Sequence, residues 1–312
     1  MRLERKDLLG LRDISREEIQ LILDTALPMK DIILRDIKKA PTLRGKALAT
    51  VFYENSTRTR TSFEIAGKYL SADTVNLQVT SSSVQKGESL RDTIKTIEMM
   101  GFDVIAMRHS MSGTPQYVAR NTNMRVINAG DGANEHPTQA LLDMFTILEH
   151  KKTLDDLKVA IVGDILHSRV ARSNIYGLSK YGCEVRVVGP STLIPPEIER
   201  LGVKTYYNLD QAFKGVDVIN VLRIQRERQQ SALFPSLDEY ADLYMVSSDR
   251  LQSAKDDVLV LHPGPMNRGI EVSSELADSS SMLVNEQVTN GVAVRMAILF
   301  LMMGGSRGEV AN

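Results

Sequence analysis

The sequence predicts an α/β protein with two domains, each a parallel β-sheet flanked by helices. Short apolar runs rich in β-branched residues alternate with helix-like segments along the 312-residue chain, an order typical of βαβ units. The chain is long enough for about two domains, and it has more strand-like runs than one compact sheet holds comfortably. We therefore divide it near residues 132–136 and expect ligands to bind where the strands end.

Each predicted element has its own local signal. A capping box at 15–18 precedes an amphipathic apolar pattern and predicts a helix start. Short, continuously apolar runs predict buried strands, and longer periodic segments predict helices. In chain order, strands are expected at 47–52, 104–107, 125–128, 159–163, 184–188, 216–221 and 258–261, with helices at 62–70, 86–100, 136–150 and 286–303 and between most of the later strands.

The composition argues against several classes of function. A net charge of -1 gives no overall positive field that would recruit nucleic acid or an anionic membrane surface. The single cysteine, Cys183, permits neither an intrachain disulfide nor a cysteine-based zinc cluster, and scattered acidic residues indicate no metal site. Residues 1–9 lack the apolar core of a signal peptide, and Arg295 interrupts the most apolar stretch. We expect a cytoplasmic protein that binds neither membranes nor nucleic acid.

The densest group of anion-binding side chains follows the first predicted strand. Residues 56–60 (Ser-Thr-Arg-Thr-Arg) place three hydroxyls and two guanidiniums at a predicted helix start. The dipole and N–H groups of a helix N-terminus favour an anion, and arginine adds a bidentate fork that suits phosphate. The alternative is an ordinary N-cap followed by solvated arginines. The density of donors favours a phosphate site.

Two further segments extend that prediction. Lys86 follows a serine-rich stretch, where an exposed loop before a helix is an equally good interpretation. Arg108 and His109 follow the second predicted strand, and His109 is interpreted as structural. His136 and Gln139 share one face at a helix start because they are three residues apart. An imidazole there could donate to a carbonyl oxygen as negative charge develops on it.

In the second half, three predicted strands end in polar segments. They are 164–169, 223–225 and 262–268; each supplies an arginine, and the second adds Gln225. Single arginines at such positions usually form surface ion pairs that contribute little. Several arginines converging on one crevice would instead form a site for carboxylates.

Motifs of other enzyme classes are absent from the sequence or lie in the wrong context. It contains no G-x-x-x-x-G-K-[ST] P-loop, no G-x-G-x-x-G after a strand and no H-E-x-x-H, and its G-x-S-x-G match at 304–308 follows the last predicted helix rather than a strand. These features argue against ATPase, dinucleotide oxidoreductase, zincin and α/β-hydrolase sites. A non-catalytic subunit of the same fold is the remaining alternative, and it would be expected to have lost some of the polar segments. No cofactor is expected.

Taken together, the polar segments resemble the aspartate carbamoyltransferase family, in its catalytic chain, nearly from end to end. The resemblance implies a carbamoyl-phosphate-binding domain at 1–135 with 288–312 and an aspartate-binding domain at 136–287, with the active site in the crevice between them. It implies transfer of the carbamoyl group from carbamoyl phosphate to L-aspartate, an early step of pyrimidine biosynthesis. The motifs that carry it are 52–60, 86–88, 108, 130–132, 136–139, 164–169, 223–225, 262–265 and 287–292.

Ornithine carbamoyltransferases are the nearest rivals. Members of that family place a cysteine after the histidine corresponding to His262 and carry Ser-Met-Gly for the amino-acid side chain. Here those positions hold Pro263 and the segment 223–225. Arginine favours the carboxylates of aspartate and repels cationic ornithine, so the aspartate reaction is expected. Gly264 departs from the leucine of some members, which removes side-chain contacts at that position.

The resemblance also implies a role for each site residue. Catalytic roles fall to Arg58, Thr59, Arg108 and His136, and aspartate is held by Lys86, Arg169, Arg223 and Gln225. Carbamoyl phosphate is held by Ser56, Thr57, Arg58, Thr59, Arg108, His136, Gln139, Pro263 and Gly264. Family members are homotrimers in which a neighbouring subunit supplies the residues corresponding to Ser82 and Lys86. We therefore expect a homotrimer or a dimer of trimers, with a regulatory chain or a dihydroorotase as partners that the resemblance leaves open.

Overall fold

The computed structural model describes residues 3–77, 88–224 and 236–305. Contacts between Cα atoms divide the chain into two compact units, one of Met1–Phe145 with Val288–Asn312 and the other of Thr146–Gln287. The division predicted between residues 135 and 136 lies inside the first unit. His136 and Gln139 therefore belong to the first unit rather than to the second.

The first unit is built on a four-stranded parallel sheet in the order β2–β1–β3–β4. The register places Phe52 opposite Arg108, at the carboxyl ends of β1 and β3. Two of the predicted anion-binding segments therefore follow adjacent strands. The strands are β1 (Ala47–Phe52), β2 (Asp73–Leu77), β3 (Val104–His109) and β4 (Arg125–Asp131).

The helices of the first half begin where the sequence provides a cap or a strand ends. The capping box is confirmed, since the Ser15 hydroxyl accepts from Glu18 N at 3.1 Å and Ser15 N donates to Glu18 Oε2 at 3.0 Å. Ser89 caps the third helix by accepting from Asp92 N. These helices are α1 (Arg16–Leu34), α2 (Thr57–Tyr69), α3 (Leu90–Met99), α4 (Thr114–Arg120) and α5 (Pro137–Lys151).

The second unit holds a five-stranded parallel sheet in the order β7–β6–β5–β8–β9. Because β5, β8 and β9 are neighbours, the three polar segments that follow them start side by side at one edge of the sheet. The strands are β5 (Lys158–Val162), β6 (Glu184–Val188), β7 (Lys204–Tyr206), β8 (Val218–Val221) and β9 (Leu259–Leu261). The later helices are α6 (Arg169–Ser179), α7 (Leu209–Phe213), α8 (Leu237–Tyr244), α9 (Ser274–Ala277) and α10 (Val284–Met302).

The sequence did not predict β2 and β7, and both are edge strands. No residue of either strand is fully buried, and β7 has three residues. The other two edges are covered by the chain itself. Leu8 pairs with the outer side of β4 through Leu8 N to Val126 O and Asn128 N to Leu8 O, both at 2.9 Å, and Met282 bridges to Val260 of β9. Apolar patterning thus reveals strands that are covered and misses strands left open at an edge.

Each unit has an apolar core against its own sheet. The core of the first unit includes Val51, Met107 and Ile94. The core of the second unit includes Val162 and Tyr240. The predicted fold class, two parallel sheets flanked by helices, is confirmed. Among the described residues, no helix has the length and apolar character needed to cross a membrane. Nor does that part of the chain bring three or more potential metal ligands together.

Candidate functional site

The predicted phosphate-binding segment forms the first turn of α2. Ser56 takes the N-cap position, with φ −157° and ψ 85°, but its hydroxyl does not cap the helix. That hydroxyl accepts instead from Arg108 Nη1 at 3.1 Å. Thr59 is buried, whereas Thr57 and Arg58 are exposed. The turn therefore presents a hydroxyl and a guanidinium to solvent at the positive end of a helix.

Arg108 joins the two strand ends of the first unit. It lies at the end of β3, opposite Phe52, and its Nε donates to Glu54 Oε2 at 3.1 Å while Nη1 reaches Ser56. The Arg108 and Glu54 side chains are 15% and 20% exposed, so the ion pair is partly shielded from water. An anion at this turn gains a guanidinium partner, but it competes with Glu54 for that partner.

The turn between β4 and α5 is fixed by two buried carboxylates. Asp131 accepts from Gly113 N at 2.7 Å, Asn128 Nδ2 at 2.7 Å, Asn134 Nδ2 at 3.0 Å and Glu135 N at 3.2 Å. Glu135 in turn accepts from Leu11 N at 2.6 Å. Gly10 makes this approach possible, because a Cβ there would collide with the Glu135 carboxylate. The backbone that leads into His136 is therefore held on both sides.

His136 and Gln139 lie at the start of α5, and both are buried. Gln139 Nε2 donates to Asp143 Oδ1 at 3.0 Å, one turn further along the helix. This bond sets the orientation of the amide, because the nitrogen faces Asp143. The amide oxygen is then the acceptor that Gln139 presents in the opposite direction.

Arg295 of α10 is fully buried and contacts three helices of the first unit. Its Nη1 donates to Gly291 O at 2.9 Å and its Nη2 to Thr138 Oγ1 at 3.3 Å, and the guanidinium lies over the Phe63 ring at 5.3 Å. Burial lowers the pKa of Arg295 to about 9, and the charge of Asp143 opposes that shift. The group therefore remains charged at neutral pH and ties α2, α5 and α10 together.

The first arginine of the second unit lies at the start of α6. Asp164, at the end of β5, is buried and accepts from His167 N at 3.1 Å, and its Oδ1 and Oδ2 each lie 3.0 Å from His167 Nδ1. Ser168 caps α6 by accepting from Ala171 N at 3.1 Å. Arg169 is the first helical residue and is buried. Its position is thus set by a cap and by a rigid turn.

The segments after β8 and β9 meet at one buried carboxylate. Ile224 N, next to Arg223, donates to Glu271 Oε1 at 2.7 Å. His262 Nε2 lies 3.0 Å from Glu271 Oε2, and Gly264 N donates to His262 Nδ1 at 2.8 Å. Gly264 has a φ of +61°, in the left-handed region that suits glycine.

The structure arranges the predicted site residues in two groups, one in each unit. Those of the first unit follow β1, lie at the end of β3 or start α5, and those of the second unit follow β5, β8 and β9. Three predicted residues, Ser82, Lys86 and Gln225, lie outside the described residues.

Several supporting residues were not predicted from the sequence. Asp143 and Glu271 belong to no motif, and an isolated acidic residue looks the same whether it is buried or solvated. Asp131 lies in the motif at 130–132, but no role was predicted for it from the sequence. Arg295 carried a usable signal, since a single charge inside an apolar helix is expected to be buried with a partner.

Two protein-family models match the chain. Residues 6–149 match "Aspartate/ornithine carbamoyltransferase, carbamoyl-P binding domain", and residues 155–302 match "Aspartate/ornithine carbamoyltransferase, Asp/Orn binding domain". Over 310 residues the chain is 80% identical to the aspartate carbamoyltransferase catalytic subunit of Syntrophomonas wolfei, covering 99% of each. It is 66% identical over 306 residues to that of Moorella thermoacetica, covering 98% of this chain and all of the relative.

Solved structures of two related enzymes have the same fold. Aspartate transcarbamoylase from Trypanosoma cruzi, in complex with carbamoyl phosphate and aspartate, matches with a TM-score of 0.85 and 28% identity over 94% of each chain. Ornithine carbamoyltransferase from Pyrococcus furiosus matches with a TM-score of 0.86 and 31% identity, covering 98% of this chain and 99% of that one. The backbone therefore does not separate the two reactions. The 80% and 66% identities to aspartate carbamoyltransferase catalytic subunits favour aspartate.

Proposed function

Since the chain belongs to the aspartate/ornithine carbamoyltransferase family, we propose that its first unit binds carbamoyl phosphate and its second binds L-aspartate. The reaction transfers the carbamoyl group to the α-amine of aspartate and releases N-carbamoyl-L-aspartate and phosphate. The observation that carries the assignment of residues is the contact from Arg108 to Ser56, which joins two strand ends at the N-terminus of α2. A helix N-terminus with a guanidinium and a hydroxyl beside it favours the binding of a phosphate.

In the first unit, the phosphate is bound at the first turn of α2. Ser56, Thr57 and Thr59 supply hydroxyl donors, and Arg58 and Arg108 supply charge. Arg58 is exposed at the helix N-terminus, where a guanidinium can follow the phosphate as it leaves. The phosphate displaces Glu54 as the partner of Arg108, because it brings more negative charge to the same donor.

The carbamoyl group is polarised at its oxygen and held at its nitrogen. Thr59, Arg108 and His136 donate to the carbonyl oxygen, where negative charge grows in the transition state. The Gln139 amide oxygen, directed away from Asp143, accepts from the carbamoyl nitrogen. The carbonyl groups of Pro263 and Gly264 accept from the same nitrogen.

In the second unit, Arg169 and Arg223 bind the two carboxylates of aspartate. Charge-assisted and bidentate bonds from arginine suit carboxylates, and the second positive charge disfavours a cationic amino acid. The same role is proposed for Gln225 and Lys86, which lie outside the described residues. The neutral amine attacks the carbonyl carbon, and the departing phosphate accepts the amine proton, so this route needs no base from the protein.

The test is an assay with two acceptors in parallel. Purified protein is mixed with carbamoyl phosphate and either L-aspartate or L-ornithine, and the ureido product is measured colorimetrically. Only product that depends on the amino acid counts, because carbamoyl phosphate decays unaided. Product with aspartate alone is expected. Product with ornithine alone would overturn the roles of Arg169 and Arg223, and product with neither would overturn the assignment of the second unit.

We also propose that the active protein is a homotrimer whose sites are shared through Ser82 and Lys86. Separately inactive Lys86→Ala and Arg58→Ala chains, dissociated and mixed, should then recover part of the activity. Hybrid trimers contain some sites that carry neither change. Complete absence of recovery, with trimers present by sedimentation, would contradict a shared site.

A further inference from the structure

Glu271 lies at the junction of two segments that present the proposed aspartate and carbamoyl ligands. Its side chain is fully buried. The carboxylate receives Ile224 N at 2.7 Å and Asn267 Nδ2 at 2.6 Å on Oε1, and His262 Nε2 at 3.0 Å and Asn267 N at 2.9 Å on Oε2. A carboxylate has about four acceptor positions, so these donors occupy all of them.

The tautomer of His262 follows from its two contacts. Gly264 N is a donor and lies 2.8 Å from Nδ1, so Nδ1 must accept and carries no proton. The proton of the neutral ring is therefore on Nε2, directed at Glu271. This gives a continuous series of bonds from the Gly264 backbone through His262 to Glu271.

The bonds to Glu271 lie just beyond the end of the pairing between β8 and β9. The register between β8 and β9 ends with Asn220 opposite Leu261. The segment of Ile224 and the segment of residues 262–264 both lie beyond that pair. Glu271 joins them there, because it accepts from a backbone N–H of the first segment and from the histidine of the second.

We propose that Glu271 is a positioning residue that sets the placement of Arg223 relative to the Pro263 and Gly264 carbonyls. This role rests on the proposed function, in which Arg223 binds aspartate and the two carbonyls bind the carbamoyl nitrogen. Loss of the carboxylate moves the aspartate arginine and the two carbonyls, but the other groups proposed to bind carbamoyl phosphate lie in the first unit and stay in place. The Michaelis constants of the two substrates should therefore respond differently.

Glu271→Gln is the informative change because it keeps the size and replaces one acceptor by a donor. If the new amide nitrogen takes the Oε2 position, it faces Asn267 N and His262 Nε2. If it takes the Oε1 position, it faces Ile224 N. Either way a buried backbone N–H loses its acceptor. His262 cannot adapt by moving its proton, because Gly264 N already occupies Nδ1.

The experiment compares Glu271→Gln with Glu275→Gln, an equal change of charge at an exposed position four residues away. Glu271→Gln is expected to raise KM for aspartate about tenfold and KM for carbamoyl phosphate less than about twofold. Glu275→Gln should leave both unchanged. Equal changes in the two constants, or none, in a folded variant would overturn the positioning role.

A milder variant covers the case in which Glu271→Gln does not fold. Asn267→Ala removes one side-chain donor and keeps the other three bonds, and it should raise KM for aspartate about two- to threefold. No change in that constant would overturn the proposal. Failure of the proposed function looks different, because the unaltered protein itself would then form no product with aspartate.

Discussion

The two units support their binding side chains in different ways. In the first, the support is spread over several buried groups, including Asp131, Glu135, Asp143 and Arg295, that also join helices and strands. In the second, the carboxylate of Glu271 joins the segments after β8 and β9 to each other. The difference indicates that support residues of the first unit contribute mainly to stability, whereas Glu271 contributes mainly to geometry.

The largest expected effect is on stability, from Arg295→Met. The change removes the donors to Gly291 O and Thr138 Oγ1 and the positive charge that acts on the buried Asp143 carboxylate, which together should cost roughly 3–5 kcal/mol. Urea denaturation would measure the free energy of unfolding. Arg91→Met, at an exposed position of α3, is the matched control and should change it by less than about 0.5 kcal/mol. Equal losses in both variants would contradict a special role for Arg295.

The double variant Arg295→Met with Asp143→Leu sharpens this test. Replacing both charged groups by apolar ones should recover much of the lost stability, because no buried carboxylate then remains at the site from which the positive charge was removed. Gln139 would still have lost its partner, so KM for carbamoyl phosphate should remain raised. Recovery of both stability and KM would show that Asp143 does not orient Gln139.

The next largest effect is a loss of turnover that leaves the stability of the fold unchanged. Arg58→Ala should lower kcat about 100- to 1000-fold, the range found when one donor to a developing charge is removed. Because Arg58 is exposed, the free energy of unfolding should change by less than about 0.5 kcal/mol. Arg60→Ala is the control two residues away, where the guanidinium lies 3.7 Å from Glu64. A near-normal kcat for Arg58→Ala would mean that another group stabilises the leaving phosphate.

The sequence predicted the fold class because buried strands and capped helices have local signals. The first residues after β1, β3, β5, β8 and β9 were also identifiable, since polar residues at strand ends stand out against apolar runs. The edge strands β2 and β7 were missed because pairing on one side requires little apolar sequence. Their presence depends on a neighbouring strand that is distant in sequence.

The support of the site could not be predicted for a related reason. Glu271 becomes distinctive only when Ile224, which precedes it by 47 residues, and the ring of His262 are brought to its carboxylate. Asp143 becomes distinctive only through the charge of Arg295, and the whole of the second unit separates the two residues in the sequence. Motifs report the groups that touch ligands, whereas the groups that orient them are defined by tertiary contacts.

The smallest expected effect is on the pH dependence of the free energy of unfolding. It tests whether a histidine of the first unit makes the fold sensitive to acid. Burial holds the pKa of His109 below its ordinary value of 6.5, although the charges of Glu54 and Asp131 oppose that shift. Its Nδ1 also accepts from Met111 N at 2.9 Å, which a proton on that nitrogen would break. The folded state therefore binds this proton less readily than the unfolded state does. The stability that His109 contributes is full above pH 6.5 and is lost as the pH falls through the lower, folded value.

His109→Asn keeps an acceptor near the Nδ1 position and removes the titrating group. Between about pH 7 and 5.5, above the range in which most carboxylates titrate, the unaltered protein should lose more unfolding free energy than the variant. Urea denaturation at several pH values in that range measures both slopes. Parallel slopes would assign the acid response to groups other than His109. A flatter slope in the variant would show that the first unit, whose buried groups support the fold, also sets the response of the fold to acid.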